Sequence, residues 1–260
     1  MPVSAVVIVK NEAAGIRACL ESLSFCDEIV VVDSGSTDQT IPVAQTMPNI
    51  RIFQRSFDDF SSQKNFAVAQ ASHPWIFSLD ADERASASLQ REILAIIGRK
   101  DRDKAAYAVP RQTFLFGSEG RFASYWDLPI RLFRKDQSHF EGVVHEGLRV
   151  RGKKGHLKHA ILHYSTKSVG DYLRKLNHYT DLEARLLQER GGRPGIFAFV
   201  CKPPLRFLQN YIGGYGIMKK NVGFIYAILS SYYEFVRCAK HWERIGRTAN
   251  RNSGLGGGSV

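Results

Sequence analysis

Trp75–Glu83 reads WIFSLDADE, an apolar run that ends in three carboxylates within four residues. Such a run, uncharged and bulky, has the form of a strand buried on both faces. Its neighbours look alike. SAVVIV (Ser4–Val9) is a β-branched run closed by the polar turn KNE, EIVVVD (Glu28–Asp33) is a second, and NIRIFQ (Asn49–Gln54) a third. Between them, Ala13–Leu23 carries Ile16, Leu20 and Leu23 on one helical face. Another helix begins near Asp38, after the cap-rich SGSTDQT, and Phe60–Ala71 and Ser86–Ile97 also read as helices. Strands alternating with helices of about ten residues predict an α/β fold with a mostly parallel sheet flanked by helices.

Beyond Lys104 the pattern is less regular. AAYAVPRQTFLFG (Ala105–Gly117), LPIRLFRK (Leu128–Lys135), GVVHEGLRV (Gly142–Val150) and HLKHAILHYS (His156–Ser165) read as strands. From Ser168 the chain is mostly helical, and NSGLGGGSV (Asn252–Val260) reads as a flexible end. The expected organisation is an α/β domain over 1–167, a basic helical extension over 168–246 and a tail over 247–260. No internal repeat is visible.

The 260 residues are 44% hydrophobic, enough for a sizeable core. Cys19, Cys26, Cys201 and Cys238 lack the paired spacing of a metal site, and MPVSAVVIVKNE has neither a basic start nor a long apolar run. Reduced thiols and a cytoplasmic location are expected. Residues 1–165 hold 21 Lys/Arg against 19 Asp/Glu, whereas 166–246 hold 13 against 6. The basic surplus of the last third points to an anionic surface, membrane lipid or nucleic acid.

In an open parallel sheet, ligands bind beyond the carboxyl ends of the strands. Asp33 and Asp80 stand at two such ends. Asp80 and Asp82 are two residues apart in a turn, and two hard oxygen ligands suit Mg²⁺ or Mn²⁺ completed by substrate phosphates. The alternative is a plain strand-end turn with acids near a helix start, where the dipole favours them.

VVIVKNEAAGIRACLESL, DEIVVVDSGSTDQT and SLDADE together resemble family 2 glycosyltransferases of the GT-A fold, a Rossmann-like architecture. SSQKNFA, FEGVVHEGLRV and LHYSTKSVGDYLRKLNHYT are similar to the bacterial branch that glucosylates the inner core of lipopolysaccharide. The resemblance spans roughly residues 1–246. It implies that Lys10, Asn11, Glu12 and Asp33 hold the base and ribose of a nucleotide sugar. A carboxylate is a pure acceptor, suited to a uracil N–H; otherwise Asp33 caps the following helix, a role open also to Ser36 or Thr37. Lys64, with Asn65 beside it, matches a basic position that contacts the diphosphate, or else is an exposed helix lysine. Asp80 and Asp82 match the metal–diphosphate DxD motif, with Glu83 a helix-start acid. Glu146 falls where relatives carry the acidic base; His145 precedes it and competes for the role, with Asp127 and Glu141 as weaker rivals. His163 matches a histidine that completes the metal site, or is structural, as His156, His159 and His178 are read.

The implied reaction is inverting transfer of a sugar, glucose from UDP-glucose, to a hydroxyl of a lipopolysaccharide core or similar lipid-linked acceptor. Metal and Lys64 would stabilise the leaving diphosphate while Glu146 takes the acceptor proton. FLFGSEGRFASYW (Phe114–Trp126) reads as a loop over the sugar with Trp126 as a platform, or as a surface loop pinned by aromatics.

In VGFIYAILSSYYEFV (Val222–Val236), Phe224, Ile225, Ile228, Leu229, Tyr232, Tyr233 and Val236 form one apolar helical stripe, shorter than the ~20 residues of a membrane span. Lys219, Lys220, Arg237, Lys240 and Arg244 flank it. A helix of that kind lies on an anionic bilayer, here the cytoplasmic face of the inner membrane, or packs on the catalytic domain or a second subunit. Two other functions compete. A sugar-nucleotide nucleotidyltransferase would open with a glycine-rich loop where this chain has VKNEAAG. A nonenzymatic binder of nucleic acid or membrane would leave Asp33, Asp80 and Asp82 without a use, since clustered carboxylates repel phosphate; no nucleic-acid partner is expected.

Overall fold

The computed structural model describes residues 1–98, 103–116, 121–122, 128–142, 147–166, 168–213 and 216–254. In chain order, β1 (Val3–Val9), α1 (Ile16–Glu21), β2 (Glu28–Asp33), α2 (Thr40–Gln45), β3 (Ile50–Gln54), α3 (Phe60–Gln70) and β4 (Trp75–Asp80) form the alternating run. Then come β5 (Glu83–Ala85), α4 (Ala87–Gly98), β6 (Lys104–Ala108), β7 (Arg111–Leu115), β8 (Arg121–Phe122) and β9 (Ile130–Arg134). β10 (Ser138–Glu141), β11 (Gly147–Val150), β12 (Lys153–His156) and β13 (Ile161–Thr166) complete the strands. Among the described residues, the α-helices that follow are α5 (Val169–Glu189), α6 (Ile196–Val200), α7 (Lys202–Leu208) and α8 (Lys220–Gly254).

Two compact units result, one of Met1–Phe114 with Ala123–Ser165, the other of Leu115–Phe122 with Thr166–Val260. The first is built on a seven-stranded sheet ordered β12-β6-β9-β4-β1-β2-β3. β1 to β4 run parallel, and β9 runs antiparallel between β4 and β6. Alternate side chains enter opposite cores, as a strand period of two requires. Val3, Ala5 and Val7 join Phe77, Leu79, Leu20 and Ile93 on one face. Val6, Val30, Val32 and Ile76 join Ala67 and Phe133 on the other. Burial on both faces is why these strands read as unbroken apolar runs. A second sheet sets β13 between β5 and β7. The long strand expected over Ala105–Gly117 is two strands, β6 and β7, parted at Val109 and Pro110; proline has no N–H for a ladder.

Register brings the strand ends together. Val9 lies beside Asp33, and Ile8 beside Asp80. The opposite edge carries a different acid, Glu28. It accepts hydrogen bonds from Ser4 Oγ (2.6 Å), Ser72 N (2.7 Å) and Arg51 Nη1 (2.6 Å). Burial opposes its charge, but these donors hold its carboxyl down at about 2.

In the second unit, the α8 face made by Ala227, Ser230, Glu234, Cys238 and His241 is buried. Glu234 accepts from Arg206 (2.7 Å) and Arg237, and Arg237 also reaches Glu183 at 3.1 Å. Lys240 bonds the Asn177 carbonyl at 2.7 Å and pairs with Asp181 at 3.1 Å. Arg237 and Lys240, expected to face headgroups, are therefore turned toward α5, where they pair with Glu183 and Asp181. The helix runs on through residues 247–254, where the sequence anticipates a tail.

The depressed carboxyl of Glu28 contributes stability above its ordinary value of 4.5, and that contribution is lost as pH falls toward about 2. Glu28→Gln is expected to cost about 3 kcal/mol at neutral pH. In urea unfolding the gap between variant and wild type should close on acidification through that window; a gap independent of pH would show that the ionised carboxylate is not the source.

Candidate active site

The site is the carboxyl edge of β1, β2 and β4. After β1, Asn11 takes a left-handed conformation (φ 54), which asparagine tolerates better than most residues. Its N–H donates to Ser36 Oγ (2.9 Å), and its Oδ1 accepts from Thr37 N (2.8 Å). Glu12 N donates to Thr40 Oγ1 at 2.8 Å. The two loops that follow β1 and β2 are thus tied together, with Lys10 exposed at their margin. Asp33 is buried, and its carboxylate accepts from Ser36 N (3.1 Å) and Ser36 Oγ (2.6 Å). It closes a turn rather than a helix: α2 starts after Gln39 and has no side-chain cap, so Asp33, Ser36 and Thr37 are not its caps.

Asp80 ends β4. Lys64 Nζ lies 3.1 Å from its Oδ1, and Arg131 Nη2 donates to its Oδ2 at 2.7 Å. Lys64 is a buried residue of α3, not an exposed helix lysine, and it sits 5.7 Å from the centroid of the Phe140 ring. Its neighbour Asn65 exchanges two hydrogen bonds of 2.9 Å with the Phe140 backbone and so anchors β10. Burial works against the charge on Asp80, but Arg131 and Lys64 hold its carboxyl well below the usual carboxylate range.

Glu83 is not a helix-start acid. It opens β5 with its side chain fully buried, and α4 begins only at Ala87. Its Oε1 accepts from Arg131 Nη2 (2.7 Å) and Arg111 Nη1 (3.0 Å), and its Oε2 from Asp80 N (3.1 Å). Burial pushes its carboxyl upward, helped by the charge of Asp80 and opposed by Arg131. Arg131 and Glu83 are the site members that sequence reasoning missed. A signal exists: Arg131 interrupts the apolar strand LPIRLF, and an arginine in a buried strand requires a carboxylate.

Asp82 meets His163. Oδ2 and Nε2 are 3.4 Å apart, and His163 Nδ1 lies 3.2 Å from Thr113 Oγ1. Antiparallel pairing of His163 with Glu83 across β13 and β5 brings this about. The ordinary second-sphere arrangement of a metal-binding histidine has this form, one ring nitrogen toward the site and the other on an oxygen. Among the described residues, no group of three or more His, Cys, Asp or Glu is arranged around one point. Asp82 and His163 fit a divalent ion that takes its other ligands from phosphate and water. Asp80 is the poorer donor as it stands, with both oxygens on cations.

His159 pairs with Glu92 at 2.9 Å, and Glu141 with Arg149; neither reaches this edge by a hydrogen bond. His156 and His178 are exposed. Trp126, Asp127, His145 and Glu146 lie outside the described residues.

Residues 4–149 match the family described as Glycosyl transferase family 2. The lipopolysaccharide core biosynthesis glycosyltransferase LpsC of Rhizobium meliloti is 32% identical, over 97% of this chain and 96% of its own. An uncharacterized glycosyltransferase of Rickettsia bellii is 28% identical over 92% of this chain and 85% of its own. Two solved structures share the GT-A fold. The mannosyltransferase PcManGT of Pyrobaculum calidifontis, in complex with GDP-Man and Mn²⁺, has a TM-score of 0.54 at 15% identity, covering 93% of this chain and 87% of that one. S. aureus TarS 1–349, in complex with UDP-GlcNAc, has a TM-score of 0.50 at 14% identity, covering 97% and 92%.

Arg131→Met would leave Glu83 buried without its closest cation. Removing one partner of a buried pair costs about 3–5 kcal/mol. The melting temperature of Arg131→Met should drop accordingly, and adding Glu83→Gln to that variant should restore part of the loss. Equal melting of wild type and Arg131→Met would mean that the network carries no stability.

Proposed function

The chain belongs to glycosyltransferase family 2, and on that premise we propose that it is an inverting, metal-dependent enzyme moving glucose from UDP-glucose onto a lipopolysaccharide core or a similar lipid-linked glycan. The observation that carries this reading is the edge of β4, where Asp80 lies between Lys64 and Arg131 while Asp82 faces His163. Asp82 and His163, with Asp80 beside them, would hold Mg²⁺ or Mn²⁺, which when bound neutralises charge growing on the leaving diphosphate. Lys64 and Arg131 bring two further positive charges to the same strand end, where a diphosphate leaving group gains from them. The tied loops carrying Lys10, Asn11, Glu12 and Asp33 would seat the nucleotide. Trp126 would face the sugar.

Glu146 is the base that takes the acceptor proton, with His145 its competitor; both assignments rest on the motif VHE. Support for a nucleotide-sugar donor comes from the neighbours bound to GDP-Man and UDP-GlcNAc. The choice of glucose and of a core acceptor rests on the sequence segments similar to the lipopolysaccharide branch and on the relative LpsC. An acceptor of that kind is met at the cytoplasmic face of the inner membrane by a peripheral protein. Among the described residues, no helix is long and apolar enough to cross a membrane.

The test is release of UDP from UDP-glucose in the presence of a truncated core acceptor. EDTA should abolish it and Mg²⁺ or Mn²⁺ restore it; Asp82→Ala should stay folded and inactive. Full turnover in EDTA would sink the metal assignment, and transfer from GDP-mannose alone would sink the donor.

Glu146→Gln should lower turnover by about 10²–10⁴-fold with donor binding kept, the usual scale of general-base catalysis. If His145→Ala falls further while Glu146→Gln hardly changes, the base is His145.

A further inference from the structure

The second unit leaves many large apolar side chains exposed. Along α8 the buried positions step by three and four residues through small or polar groups: Ala227, Ser230, Glu234, Cys238 and His241. Gly223 extends that line toward the helix start, and a Cβ there would lie 1.9 Å from the Gly216 carbonyl oxygen, so the approach admits only glycine. Many of the large apolar residues face outward, while Leu229, Tyr233 and Val236 are half-buried. Phe224, Ile225, Ile228 and Tyr232 are exposed, four members of the stripe read from the sequence. α6 adds Ile196, Phe197 and Val200, the first two 79% and 69% exposed. α7 and the turn after it add Leu205, Leu208 and Ile212. A water-soluble helix of this composition would bury its larger apolar stripe, since apolar area removed from water stabilises by roughly 25 cal/mol per Å². An exposed apolar surface spread over three helices is an interaction site.

Charge selects the occupant. From Arg190 through Tyr233 the chain has six Lys/Arg and no Asp or Glu. The next acid, Glu234, is buried and held by Arg206 and Arg237. Arg193, Lys202 and Lys220 are exposed among the apolar residues. In a two-fold dimer the same patch meets itself, so its cations would face cations. Anionic headgroups above an acyl layer satisfy both features together.

We propose that α6, α7 and the first turns of α8 form an interfacial docking surface for an anionic bilayer, with the apolar side chains entering the interface and Arg193, Lys202 and Lys220 meeting headgroups. This deepens the reading of a peripheral enzyme with a lipid-linked acceptor and rests on it for its purpose. It also replaces Arg237 and Lys240 as lipid contacts, since both are paired with carboxylates of α5.

Flotation of the full chain with phosphatidylcholine vesicles, with and without phosphatidylglycerol, tests it in the absence of donor and acceptor. Wild type should float with the anionic vesicles and be weakened by salt. Arg193→Gln/Lys202→Gln/Lys220→Gln should lose about 100-fold in partition, three charges near the surface acting together. Phe197→Ser/Ile212→Ser/Ile228→Ser, all at exposed positions, should lose binding to the same vesicles while keeping the wild-type circular dichroism. Unchanged flotation in the charge variant overturns the proposal even if the apolar variant misfolds. So does a wild type that ignores vesicles but sediments as a dimer that the apolar variant converts to monomer. Transfer to a deacylated, soluble acceptor, measured without vesicles, reads the enzyme reaction separately. Its absence in the wild type would count against the transferase reading, whereas failure to float counts against the docking surface alone.

Discussion

One nitrogen, Arg131 Nη2, donates at 2.7 Å both to Asp80, at the end of β4, and to Glu83, at the start of β5. Two carboxylates so close, one of them fully buried, cannot both carry charge without a cation between them. That requirement explains much of the first unit. The arginine must arrive on a strand beside β4, and β9 supplies it from the antiparallel side, with Phe77 against Leu132 and Trp75 against Arg134. Glu83 in turn fixes the start of β5, and β5 fixes β13. His163 reaches Asp82 only through that chain of pairings. Asp82 and His163 are therefore positioned with the help of the Arg131–Glu83 ion pair.

The two edges of the main sheet use carboxylates differently. At the amino edge, Glu28 is saturated by donors from β1, β3 and the turn before β4, a closed arrangement that serves stability. At the carboxyl edge, Asp80 keeps about a third of its side chain open and shares two cations that a diphosphate could also use. Parallel strands place their functional groups at this second edge because every βα connection leaves from it. The candidate site sits at that edge for this geometric reason.

The helical unit obeys a different constraint. Its interior joins small residues to a network of Glu183, Glu234 and Arg237, with Arg206 reaching Glu234 from the surface and the Tyr233 hydroxyl on Glu183 at 2.8 Å. Such a network satisfies its own charges, and with the small residues along α8 it leaves Phe224, Ile225, Ile228 and Tyr232 on the outer side. An outward apolar face is the consequence, and the absence of acids over 190–233 gives that face its sign.

The order of strands and helices, the buried character of β1, β2 and β4, and the carboxylates at their ends were legible in the sequence. They depend on local periodicity and on turn chemistry, which neighbouring residues encode. The helical stripe was legible in part: Phe224, Ile225, Ile228 and Tyr232 are exposed, whereas Tyr233 turns its hydroxyl to Glu183. The burial of Lys64, the links of Arg131 to Asp80 and Glu83 and the turning of Arg237 and Lys240 toward α5 were not. Each depends on which distant segment supplies the counter-charge: Arg131 lies 48 residues from Glu83 and 51 from Asp80. A lysine or glutamate looks the same in sequence whether it faces water or a buried partner. Only strand order and register decide which, because the desolvation of a charge is settled by the groups that tertiary packing places around it.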